Sequence, residues 1–142
     1  MLNKQMAKCL VASLFFISHL CLAKAITVSH PMGETQLPAI PERVVVLGMD
    51  SLDALDALGI EPVGVVKSPL PAYLEKYKSD KYQSVGSLFE PDFEAIYTLK
   101  PDLIIVSNRS SRSFEALSNI APTVLFMAET ANYWETTTDA WR

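Results

Sequence analysis

Arg109 stands in the stretch Ser107-Asn108-Arg109-Ser110, three positions past the end of an apolar run, Leu103–Val106. A guanidinium there offers a planar fork of donors to an anion. Ser110, Ser111 and the N-terminus of the next helix add backbone N–H donors. The same position also suits a solvated loop arginine, and Arg112, three residues on, reads as a surface helix residue. Catalytic signals are sparse. Ser51 is not set in a G-x-S-x-G elbow, and neither a phosphate loop nor a G-x-G-x-x-G occurs. His30 is the only histidine beyond residue 25, and it precedes the main run of elements. Metal binding by converging histidines and carboxylates is therefore unsupported, and Asp53 and Asp56 read as a solvated helix face.

The elements that would position Arg109 follow a regular rhythm. Apolar runs at Val44–Leu47, 63–66, Leu103–Val106 and 124–127, with a weaker one at 84–86, are continuous rather than alternating. Such strands are buried on both faces, as in a parallel sheet. Between them, Leu52, Leu55 and Leu58 share a helical face, as do Phe93, Ile96 and Leu99, and Phe114, Leu117 and Ile120. Asp50 is expected to cap the first helix, with Asp53 three residues on, and Asp92 to sit in the opening turn of the second. Gly59, Pro62, Pro101 and Pro122 stop the helices. A weak repeat, Ala95-Ile96-x-x-Leu99-x-Pro101 against Ala116-Leu117-x-x-Ile120-x-Pro122, fits either duplication or a shared helix-to-strand connection. Ahead of these, 26–28 and 35–37 form a hairpin with a longer loop. The fold class is α/β, a doubly wound and mostly parallel sheet. Ligands of such sheets bind beyond the carboxyl ends of the strands. That singles out five loops: Gly48-Met49-Asp50-Ser51, Lys67-Ser68-Pro69-Leu70, Ser87-Leu88-Phe89-Glu90, Ser107-Asn108-Arg109-Ser110 and Ala128-Glu129-Thr130.

The chain has 142 residues, 49% hydrophobic and 20% charged, with a net charge of −4. An acidic balance excludes a general nucleic-acid binder, which needs a basic face. Lys4 and Lys8 precede an apolar run at 9–23, followed by Ala23-Lys24-Ala25. This reads as a cleavable signal peptide over residues 1–25, too short in its apolar part for a membrane span. Cys21 follows Ser18-His19-Leu20, a poor lipobox, so a lipid anchor is not expected. Removing residues 1–25 takes away three lysines, no acid and both cysteines, leaving a charge of −7 and no thiol. The exported chain must hold together by its packed core, without disulfides or a cysteine nucleophile.

These residues taken together resemble the periplasmic iron–siderophore binding proteins of ABC importers. The likeness runs through Ile26-Thr27-Val28-Ser29-His30, Pro41-Glu42-Arg43-Val44-Val45-Val46-Leu47 and Leu55-Asp56-Ala57-Leu58-Gly59-Ile60-Glu61-Pro62-Val63-Gly64-Val65. It continues in Val85-Gly86-Ser87-Leu88-Phe89-Glu90-Pro91-Asp92-Phe93-Glu94, Leu99-Lys100-Pro101-Asp102-Leu103-Ile104-Ile105, Ile120-Ala121-Pro122-Thr123 and Tyr133-Trp134. The resemblance implies two α/β lobes joined by a long helix, with ligand held between them. Residues 26–132 would be the N-terminal lobe and 133–142 the start of the connecting helix, cut short, with the C-terminal lobe absent.

The branch that handles catecholate siderophores is the most similar, and Arg109 falls where that branch carries a cleft arginine. Its implied role is to meet a ferric tris-catecholate, in which three doubly ionised catechols outweigh one Fe³⁺. Ser110, Phe89 and Met49 are further ligand-contact candidates. Phe89 stands where some relatives carry a lysine, so it would pack on a catechol ring in place of a basic contact. Glu94 falls where relatives carry an acid that docks on the permease, though the helix dipole alone also accounts for it. The implied protein is a monomeric solute-binding component that needs no cofactor. It would capture a ferric siderophore in the periplasm and hand it to the inner-membrane permease and its ATPase. Haem, a corrinoid or a metal ion on the same fold, a small exported hydrolase, and a secreted interaction domain are the alternatives.

Overall fold

The computed structural model describes residues 25–127. The signal segment, the Ala128-Glu129-Thr130 loop and the helix start at 133–142 lie outside the described residues, Ala25 excepted. Strand β1 (Ile26–His30) pairs antiparallel with β2 (Gly33–Leu37), with His30 opposite Gly33. The connection is therefore the pair Pro31-Met32, tighter than the sequence suggests. There follow β3 (Val44–Leu47), α1 (Met49–Ala57), β4 (Gly64–Val65), a 3₁₀ segment (Ala72–Lys78) and β5 (Gln83–Ser84). Then come α2 (Phe93–Leu99), β6 (Leu103–Val106), a 3₁₀ turn (Ser111–Ser113), α3 (Phe114–Ser118) and β7 (Thr123–Leu125).

The five later strands form one parallel sheet in the order β5-β4-β3-β6-β7. Alternate residues of the central strand face opposite ways. Val45 and Leu47 join Ile96 of α2 and Leu117 of α3, while Val44 and Val46 join Leu52 and Leu55 of α1 and Leu74 and Tyr77 of the 3₁₀ segment. Each face thus has its own core, which is why the strands read as unbroken apolar runs. Burying each such Leu or Ile contributes about 1.5–3 kcal/mol. The chain moves outward from β3 to β4 and β5, then returns to place β6 on the other side. Between β3 and β6 the strand order reverses.

Several local expectations are corrected. Leu58 is the C-cap of α1 and more than half exposed, so the apolar face ends at Leu55. The N-cap of α1 is Gly48, in extended conformation, and Asp50 lies within the first turn, not at the cap position. Asp92 is the N-cap of α2 and accepts from the Ala95 N–H at 2.9 Å. The pairing of β4 and β5 spans only two residues each, and β7 starts one residue earlier than the apolar run. The 3₁₀ segment was not foreseen. Leu74 and Tyr77 anchor it, the Tyr77 hydroxyl donates to Asp56 at 2.8 Å, and the Lys67 ammonium donates to the Lys78 and Ser79 carbonyls.

Two of the family-like motifs meet in one clamp. The Asp102 carboxylate accepts from the Glu42 and Arg43 N–H groups at 2.8 Å each, and the Arg43 guanidinium donates to the Leu99 carbonyl at 2.7 and 3.0 Å. The bond from Arg43 supplies a donor to the otherwise unmet C-terminus of α2, where Lys100 adopts a left-handed conformation.

The hairpin is pinned to the sheet by a histidine relay. His30 Nδ1 accepts from the Met32 N–H at 3.2 Å, which places the proton on Nε2 for donation to Thr35 Oγ1 at 2.9 Å. Thr35 then donates to the Thr123 carbonyl at 2.6 Å, and the imidazole leans on Phe114. Desolvation holds the His30 pKa below its usual 6.5. The folded state therefore binds fewer protons than the unfolded chain as pH falls. The contribution of His30 is complete above pH 6.5 and is lost as pH drops toward the folded-state value. We expect melting temperature to fall more steeply between neutral and mildly acid pH in the native protein than in His30→Gln. Equal slopes in the two would remove the relay as a source of acid sensitivity.

Candidate functional site

A depression of about 280 Å³ lies at the carboxyl ends of β3 and β6, where the strand order reverses. This is the position at which doubly wound sheets take ligands. Met49, Asp50, Leu88, Ser107, Asn108 and Arg109 line it. Three of the five strand-end loops singled out by the sequence thus converge. The Lys67 loop does not join them, its ammonium being committed to the 3₁₀ segment.

The loops are held together at their base. Ser110 is buried, and its hydroxyl donates to the Leu47 carbonyl at 2.8 Å while accepting from the Ser107 N–H at 2.9 Å. Ser107 Oγ also donates to the Leu47 carbonyl, at 3.1 Å. The loop after β6 is therefore tied to the end of β3. Gly48 lets them approach: a Cβ there would lie 2.8 Å from both Ser107 Cβ and Asp50 Oδ1. Asp50 Oδ1 accepts from the Ser51 N–H at 2.9 Å, and partial desolvation pushes its carboxyl above the usual range.

Of the residues expected to touch ligand, Arg109 and Met49 line the depression. Arg109 is exposed, and among the described residues its guanidinium makes no ion pair. Ser110 is placed otherwise. Its hydroxyl is spent inside the fold, so it positions the Arg109 loop instead of facing a ligand. Phe89 is 71% exposed at the tip of a turn, next in the chain to Leu88, which does line the depression. That turn is set by Ser87, whose hydroxyl accepts from the Phe89 and Glu90 N–H groups. Glu94 is exposed on α2 and borders a different hollow, with Gln83, Asp92, Ala95, Thr98 and Leu99. Asp50, read from sequence as a cap, is a wall residue. Its place in the first strand-end loop was the signal that could have found it. Groups of histidine, cysteine and carboxylate suited to a metal ion do not occur among the described residues.

Comparison with known proteins bears on this geometry. The sequence profile of the periplasmic binding protein family matches residues 44–139. The chain belongs to the periplasmic binding protein family. The catecholate-siderophore binding protein VctP of Vibrio cholerae superimposes with a TM-score of 0.79 at 56% identity, over 84% of this chain and 43% of VctP. The petrobactin-binding protein YclQ of Bacillus subtilis is 48% identical over 78% of this chain and 36% of its own length. The ferric-anguibactin-binding protein FatB of Vibrio anguillarum is 39% identical over 74% of this chain and 33% of its own. The chain spans about a third of the length of these curated relatives. The parallel five-stranded sheet is the periplasmic binding protein fold of the structural neighbours. Among the described residues, no helix is long and apolar enough to cross a membrane.

Proposed function

We propose that this periplasmic binding protein captures a ferric siderophore of catecholate type for an ABC importer, with the depression beside Arg109 as one wall of its site. The observation that carries the reading is an exposed guanidinium, without an ion pair among the described residues, at the strand-order reversal. It is suited to an anion, and a ferric tris-catecholate carries excess negative charge. The name of VctP supports the catecholate class, and those of YclQ and FatB, which bind petrobactin and ferric anguibactin, support a siderophore cargo. Met49 and Leu88 supply apolar wall, and exposed Phe89 offers an aromatic surface to a catechol ring.

Binding, and not bond-making, is the chemistry the site is built for. In this reading residues 1–25 direct export and are removed. Residues 26–132 form the N-terminal lobe, a second lobe closes over the ligand, and Glu94 contacts the permease that, with its ATPase, receives the cargo. The test is intrinsic tryptophan fluorescence of the protein at its full natural length. Saturable quenching by a ferric catecholate, with far weaker response to an uncharged ferric trihydroxamate, is expected. Equal binding of the uncharged complex would overturn the reading.

A further inference from the structure

The depression carries one charge of each sign. Asp50 and Arg109 both line it, and among the described residues they form no ion pair with each other or with any other group. Asp50 uses one carboxylate oxygen, Oδ1, on Ser51. The carboxylate also accepts from its own backbone N–H, and among the described residues Ser51 is the only other residue it bonds. Oδ1 lies beside Gly48, where an added Cβ would come within 2.8 Å of it. A ligand that presented only negative charge to Arg109 would meet repulsion from Asp50. One that also presents a cationic donor would satisfy both walls at once.

We propose that Asp50 is a specificity residue that selects ferric catecholates bearing a protonated amine close to the catecholate held by Arg109. The proposal rests on the catecholate reading above and deepens it. Asp50 discriminates against the amine-free tri-anion as much as it attracts the amine. Partial desolvation of the carboxyl is consistent with this, since a desolvated carboxylate gains more from a cationic partner than a fully hydrated one does.

The test uses the protein at its full natural length and two synthetic probes. One is a ferric tris-catecholamide on a neutral benzene core. The other is the same complex with one aminoethyl arm on that core. The native protein is expected to bind the amine-bearing probe about fivefold more tightly, and Asp50→Asn to bring that ratio close to one. Asparagine keeps an oxygen for the Ser51 N–H, so a purely structural role would leave the ratio unchanged. Asp50→Glu should retain the preference, and Asp50→Ser should lose it as Asp50→Asn does. An unchanged ratio in Asp50→Asn, or no preference in the native protein, overturns the proposal while leaving the catecholate reading intact. Failure of the native protein to bind either probe overturns both.

Discussion

Arg109→Ala is expected to weaken binding of a ferric catecholate at least tenfold, about 1.4 kcal/mol, in the protein at its full natural length. The guanidinium has no ion pair to lose among the described residues, so the cost appears in affinity and not in stability. Two further readings separate charge from shape. Arg109→Lys keeps the charge but not the planar fork, and is expected to fall between the native protein and the alanine variant. Raising the salt concentration should narrow the gap between native and alanine forms, because an exposed charge contact is screened. Unchanged affinity in Arg109→Ala, measured by fluorescence quenching, would take Arg109 out of the site.

Gly86→Ala is the substitution with the largest expected effect on folding. Gly86 has φ +89°, and a Cβ there would lie 2.5 Å from the Glu90 carbonyl oxygen and 2.6 Å from the Asp92 nitrogen. Both are backbone atoms, so neither can swing aside as a side-chain tip could. The segment they belong to is tightly determined. The Asp92 N–H donates to the Val85 carbonyl at 2.9 Å, the Ser87 N–H to the Glu90 carbonyl at 3.0 Å, and Asp92 then caps α2. Strain at positive φ and the forced shift together should cost roughly 3 kcal/mol. The urea midpoint should drop accordingly, with little change in slope. A loss below about 0.5 kcal/mol would show that the loop relaxes freely around an added methyl. Since this turn carries Leu88 into the depression and Phe89 into solvent, any surviving fold should also bind ligand less well.

What could be read from the sequence followed from how local each cause is. β3 and β6 were legible because both faces of these strands are buried, so every residue from Val44 to Leu47 had to be apolar. β4 and β5 were blurred because each pairs through only two residues, and β5 is Gln83 and Ser84, both exposed. The 3₁₀ segment escaped notice because its two anchors, Leu74 and Tyr77, are set among charged residues at a spacing of three. At the site, the strand-end rule found the Arg109 loop and the loop after β3 without help from any partner. It could not say which way a serine hydroxyl turns. Ser110 reads as a ligand contact because it follows Arg109. Its actual partner, the Leu47 carbonyl, is 63 positions away in the chain. Asp50 suits a cap by residue type alone. The N-cap is Gly48, where Ser107 of the neighbouring loop leaves no space for a side chain.

The Leu47 carbonyl, gripped by two serine hydroxyls from the loop beyond β6, makes the two charge-bearing loops a single mechanical piece. The spacing of the backbones that carry Asp50 and Arg109 is then set by the fold itself. Under the proposed function, such a wall would sort iron complexes by how their own charges are spaced. Tolerance toward different cargoes would then rest with the surface proposed to close against it.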